Sequence, residues 1–419
     1  MNPPPMVDAL QRIAGLYGRL ALRNLLRQGR RTLLTLSAIM LGVAGLIVAG
    51  GFVEDIFIQL GEGTIHSQLG HLQIHRSGYL ANGTQRPLEY LIDGPQRVID
   101  AARASPRVSE AMARLDFSGL LSNGRSDAPA LIEGVEPSKE LQVATFHRIL
   151  AGRRLRDEDA YGIYVGEGLA KTLRLRAGQS VNLLVNTADG ALNTLEFQVV
   201  GVFRSYSKEY DARAATINLA AAYELLQTSG VNGIVVLLHD TDATAEVAAQ
   251  LRSRLADRGL QVSTWYELSD FYAKTVALFK RQFGFLELVI LLLIVLSVLN
   301  TINLAMFERR GEFGTMRAIG NTNRTIFALI VIEGVALGVA GSLLGMAIGV
   351  ALAQVISLIG IPMPPPPNAE LGYVARIRVD ATSVLGAGVI GTFASAIAAL
   401  WPGRRISRMP IVDALRQNV

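Results

Sequence analysis

The chain holds 419 residues with 40 basic and 35 acidic side chains and no cysteine, and half of its residues are hydrophobic. Without cysteine it has neither disulfides nor thiolate metal sites. Its net charge of +5 is not a nucleic-acid signature, because the arginines gather beside apolar runs and not on one polar face.

Residues 1–32 read as a cytoplasmic N-terminal segment. Within it, Leu16, Leu20, Leu22, Leu25 and Leu26 alternate with Arg19, Arg23, Arg27 and Arg30 at helical spacing. That pattern predicts an amphipathic helix in the headgroup plane, with arginines reaching phosphates. Four apolar runs follow, at 33–53, 283–307, 326–360 and 383–401. Each can cross roughly 30 Å of hydrocarbon, which takes about 20 helical residues. The third exceeds one crossing and is expected to tilt or project. A cleaved signal peptide is the alternative for the first run, but its flank and apolar stretch are both too long for one.

The region 54–282 is mixed in character and large enough for its own core. Strands are predicted at 70–75, 162–165, 180–185, 197–203, 215–219, 233–238 and 261–264, with helices at 95–104, 166–173, 220–227 and 244–258. A βαβ-like unit at each end suggests a β-rich subdomain inserted at about 116–230. Helical character runs on from Tyr266 into the second span. The predicted fold is therefore a membrane protein, mostly α in the membrane, with four transmembrane helices. A large α/β extracytoplasmic domain lies between the first and second.

Orientation follows from the arginines. Six precede the first span, Arg309, Arg310, Arg317 and Arg324 lie in the 308–325 connector, and Arg404, Arg405, Arg408 and Arg416 lie in the 402–419 tail. The proline-rich 361–382 connector has only Arg376 and Arg378. The positive-inside bias puts both termini and 308–325 in the cytoplasm, and the large domain and 361–382 outside.

No P-loop, H-E-x-x-H or G-x-S-x-G motif occurs. His71 and His75 would share a strand face about 13 Å apart, too far for one metal ion. Glu287 and Glu333 interrupt apolar runs, and intramembrane carboxylates are functional suspects. Glu287 falls near the outer end of its span. Glu333 is either a tether to the connector or another span, or a proton or substrate group. Gly341, Gly345 and Gly349 recur every four residues and form a stripe for close helix approach, within the chain or at a dimer seam.

The run ERRGEFGTMRAIGNTNRTIFALIVIEG resembles the cytoplasmic coupling segment of the ABC-transporter permeases typified by MacB, LolC/LolE and FtsX. LALRNLLRQGRRTLLTLSAIMLGVAGLI is similar to that family's interfacial helix and first span. YVGEGLAKTLRLRAGQSVNLL and FQVVGVFRSYSKEYDARAATINLAAAYELL resemble its external domain, and PGRRISRMPIVDALR its C-terminal end. The resemblance implies two permeases per complex, as a homodimer or with a paralogue, surrounded by membrane lipids. It also implies a separate ABC ATPase subunit that carries ATP and Mg; this chain would bind no cofactor, and no enzymatic activity is expected of it.

By resemblance the 308–320 segment would dock on that ATPase. Glu308, Arg309, Arg310, Glu312 and Arg317 would give charged contacts, and Phe313, Met316, Ile319 and Gly320 the apolar and turning part. Three jobs suit such a lever. The first is extraction of lipoprotein or other hydrophobic cargo from the inner membrane, with a periplasmic lipoprotein carrier as partner. Apolar Ile56, Ile58, Leu60 and Ile65 would then lie near an acyl chain. The others are peptide, toxin or drug efflux, and regulation of a periplasmic enzyme. A four-span sensor would need an output domain for which no cytoplasmic segment is long enough.

Overall fold

The computed structural model describes residues 29–83, 86–364 and 372–410. The expected interfacial helix falls almost wholly outside these residues, as do the centre of the proline-rich connector and the end of the tail. The chain divides into two compact units, residues 1–57, 277–361 and 374–419 forming one and residues 58–276 with 362–373 the other.

The first unit is helical: α1 (Gly29–Thr64) up to residue 57, α2 (Asp270–Glu308) from residue 277, α3 (Arg310–Ala318), α4 (Asn323–Ile359) and α5 (Ala381–Ser407). All but α3 are long and apolar enough to cross a membrane. Their lengths overrun the apolar runs. At about 1.5 Å per residue, the 36 residues of α1 exceed one crossing. The helix continues past residue 53 to Thr64 and ends in a π-helical turn, Ile65–Leu69. Helical character before α2 is not continuous. A short helix, Trp265–Leu268, is opened by a Thr264/Glu267 capping box. Ser269 then leaves the helical conformation with ψ 86° and its hydroxyl accepts the Tyr272 N–H at 3.2 Å. Ser269 thus acts as a new N-cap and restarts the helix.

Packing in this unit depends on small residues. A Cβ on Gly341, Gly345 or Gly349 of α4 would lie 2.8–2.9 Å from Ile39, Val43 and Ile47 of α1 respectively. A Cβ on Gly334 or Gly338 would come within 2.5 and 2.8 Å of Ala399 and Ser395 of α5. The 341–345–349 stripe is therefore occupied by α1 of the same chain. This removes the stripe as a dimer seam, since backbone that close to α1 leaves no room for another helix.

The second unit is built on one mixed sheet. Its strands are β1 (Leu72–Arg76), β2 (Val108–Ser122), β3 (Asp127–Val135), β4 (Arg148–Gly152), β5 (Gly162–Gly166), β6 (Ser180–Asn186), β7 (Leu192–Arg204), β8 (Ala214–Asn218), β9 (Gly233–Leu238) and β10 (Leu260–Thr264). The order is β10-β1-β9-β2-β3-β8-β5-β7-β4, with β6 bridging β2 and β7. β6 shows the period-2 logic: Val181, Leu183 and Val185 are buried and their neighbours exposed. β9 is buried along its whole length, as its apolar β-branched run requires.

The expected subdomain boundary at 116 falls inside β2. The first half of that strand pairs with β9 and the second half with β3 and β6. A continuous ladder thus crosses the boundary, and one hydrophobic cluster joins Ile74 and Ile234 to Ile163 and Phe197. The region 116–230 therefore shares its core with its flanks and has no separate one. β2, β3 and β4 lie outside the predicted strands; β2 escapes the pattern because it mixes Arg114 and Asp116 into an apolar run.

Candidate functional site

The helix α3 is short and amphipathic, and its fastening is the main feature of the site. Arg309 breaks the helix between α2 and α3 with φ −99° and ψ 14°. Its side chain turns inward and is only 8% exposed. Nη1 donates to both Glu333 oxygens at 3.1 Å, and Nε donates to Glu312 Oε2 at 2.9 Å. The guanidinium also sits 5.2 Å from the Phe313 ring centre. Arg310 lies 4.1 Å over the Phe307 ring of α2. Arg317 donates through Nη1 to the Met409 carbonyl just beyond α5. Three arginines therefore fasten α3 to α2, to α4 and to the segment that follows α5.

This arrangement corrects the expected docking face. Phe313 is 3% exposed and packed among Met306, Ile326 and Ile330, with Met316 partly buried beside it. Arg309 and Phe313 are thus spent on the chain's own interior, because an amphipathic helix buries its apolar stripe against the bundle that anchors it. Glu308, Glu312, Ile319 and Gly320 face outward, and Ile319 is 79% exposed. Gly320, at φ +105°, makes the reversal into α4, a conformation that disfavours side chains with a Cβ. Met316 O accepts from both the backbone and the side chain of Asn321 there.

Within the same unit, a cleft of about 500 Å³ opens between α1, α2 and α5. Leu46, Val53, Phe57 and Ile290 give it apolar walls, and Glu54, Lys280 and Glu287 line it too. Gly50, Gly284 and Gly386, one from each helix, face open space there. The apolar residues expected to meet an acyl chain divide differently. Leu60 and Ile65 are buried, Ile65 with Met112, Val235 and Trp265 in the second unit's core, and only Ile56 and Ile58 stay partly exposed.

The second unit carries a polar cluster that sequence patterns do not reveal. Arg114 donates to the Gln68 carbonyl in the π-helical turn, and to both Glu140 oxygens at 2.8 and 3.0 Å. The β2–β3 register sets Asp116 directly opposite Glu133, and Glu133 accepts the Tyr210 hydroxyl at 2.7 Å. Asp116 Oδ1 is shut from solvent with no hydrogen-bond partner among the described residues. Burial pushes the Asp116 carboxyl up to about 7, with Arg114 opposing and Glu133 and Glu140 reinforcing. Burial also raises Glu140 against the pull of Arg114. Burial works against charge on Arg114, but Glu140, Glu133 and Asp116 outweigh it and hold it protonated.

His71 and His75 do not share a site, although the His71 ring meets that of His66 edge-on with centres 5.7 Å apart. His71 precedes β1, accepts the Leu238 N–H on Nδ1 at 3.2 Å and bonds Thr241 Oγ1 through Nε2 at 3.0 Å. His75 stacks on Tyr79 with ring centres 4.5 Å apart. Burial holds both imidazoles down to about 4, and hence neutral.

Residues 32–254 match the family described as MacB-like periplasmic core domain, and residues 284–411 match the FtsX-like permease C-terminal family. The lipoprotein-releasing system transmembrane protein LolC of Xylella fastidiosa (strain Temecula1) is 25% identical, over 77% of this chain and 81% of its own. LolC of Neisseria meningitidis serogroup B is 23% identical, over 92% of this chain and 94% of its own. The macrolide export ATP-binding/permease protein MacB of Chlorobium luteolum is 22% identical, over 99% of this chain and 63% of its own.

Proposed function

Because the chain belongs to the MacB-like, FtsX-like family of ABC-transporter permeases, a multi-pass inner-membrane protein with a periplasmic domain, we propose that it converts the work of a separate ABC ATPase into movement of that domain. Both termini and α3 face the cytoplasm, as the arginine bias requires. A second permease, a copy or a paralogue, completes the membrane part. The cargo is lipoprotein or another acylated amphiphile, handed to a periplasmic carrier. The relatives' names and the apolar cleft between α1, α2 and α5 support that cargo, since the cleft admits a hydrocarbon chain and offers charged groups to a polar head.

The fastening of α3 carries this reading. A connector anchored at Phe307, Glu333 and Met409 moves the bundle when pushed, and its exposed Ile319 gives an ATPase groove an apolar anchor. The test is co-purification of this chain from its native membrane with a separately encoded P-loop ATPase. Ile319→Glu is expected to lose the ATPase while keeping its melting temperature. Phe313→Ala is expected to lose about 3–5 kcal/mol of stability, as buried aromatic truncations do. Undiminished ATPase binding by the Ile319 variant, or transport with no ATPase present, would refute the reading.

A further inference from the structure

The three arginines that fasten α3 are not equivalent. Arg310 rests on a ring of the preceding helix and Arg317 holds a backbone carbonyl, whereas Arg309 reaches a carboxylate well inside α4. Glu333 lies about 15 Å along α4 from Asn323 at about 1.5 Å per residue. We infer that Arg309 is a positioning residue that clamps the connector to α4 through Glu333, so that displacement of α3 arrives in α4 as rigid movement. This rests on the proposed ATPase-driven function.

Three observations carry the inference. The pair is sheltered, with side chains 8% and 12% exposed, and a charge-assisted bond away from water resists separation more than one at the surface. Glu312 fixes the guanidinium from the α3 side through Nε, so the same arginine is held by both elements. The next residue of α4, Gly334, lies against α5, where a Cβ would come within 2.5 Å of Ala399. Movement of α4 at Glu333 therefore cannot occur without α5, because tightly packed backbones transmit displacement. Arg309 also has no outward surface to offer a soluble partner, which separates this role from docking.

The test uses the full chain in nanodiscs with its ATPase. Leu358, 87% exposed on the far end of α4, is replaced by cysteine and labelled with an environment-sensitive fluorophore; the chain has no other cysteine. Three quantities are measured in wild type, Glu333→Gln and Arg309→Gln: bound ATPase, ATP hydrolysis, and the ATP-dependent signal at the label. The expected result is that both variants keep the ATPase bound while the ATP-dependent signal falls about tenfold or more.

An undiminished signal in both variants overturns the inference, and so does loss of ATPase binding, which would make Arg309 a docking residue. If a single variant does not fold, Arg309→Glu combined with Glu333→Arg decides: recovery of signal supports the clamp, and a folded but silent swap refutes it. Failure of the wild-type chain to bind any ATPase would instead sink the proposed function.

Discussion

Asp116→Asn isolates one ionisable carboxyl while leaving its surroundings in place. The backbone of Asp116 is bonded to Asn232 in both directions, at 2.9 and 2.6 Å, and neither bond uses the replaced side chain. In the folded chain burial lifts the carboxyl from 3.8 to about 7, while an unfolded chain restores the ordinary value. The folded state therefore holds a proton that the unfolded state releases above about pH 4. This group's contribution is complete below that pH, is lost as pH rises to about 7, and is constant beyond. At about 1.4 kcal/mol per pH unit, the ceiling on that loss is about 4 kcal/mol. The residue as a whole is only half-buried although Oδ1 is enclosed, so screening lowers the working figure to about 1–2 kcal/mol.

Asparagine cannot ionise, so the variant gains on wild type as pH rises. Melting of the full chain in nanodiscs from pH 4.5 to 8 is expected to show a widening gap of about 2–8 °C, at roughly 2–4 °C per kcal/mol for a domain of this size. A gap that stays constant across that range would refute the reasoning, because Asp116 would then be ionised in both states.

Three further outcomes are expected. Gly345→Ala places a Cβ 2.8 Å from the Val43 Cβ and 2.9 Å from the Met40 carbonyl; the overpacking should cost about 1–3 kcal/mol, seen as lower melting temperature and yield. Gly386→Ala, which meets nothing within 4 Å, should change stability by no more than about 0.5 kcal/mol. For orientation, Leu192→Cys, 72% exposed at a hairpin end, should react with a membrane-impermeant maleimide in spheroplasts, and Thr315→Cys only after permeabilisation. Ser205 would be a poor probe because it is fully buried. The reverse labelling pattern would invert the topology.

Much of the external domain was legible from local pattern. The strands at 180–186 and 233–238 and the helix from Thr244 announce themselves by period and β-branching. β2 did not, because charged residues inside a strand erase the alternation that identifies one. Asp116 and Glu133 lie 17 positions apart, and only the register of β2 against β3 makes them opposite.

The sequence by itself determined the class of the molecule. Four apolar lengths, the arginines beside them and the size of the region between the first two are local quantities, and bilayer thickness and the positive-inside bias act on them directly. Only the tertiary structure decided which way each side chain of the connector turns. Arginine, phenylalanine and glutamate all read as surface contacts in a nine-residue amphipathic helix. Burial of Arg309 against Glu333, and of Phe313 in the bundle, depends on helices distant in sequence. The same holds for the glycine stripe of α4, whose spacing announces close packing while the identity of the helix that fills it is set by the fold.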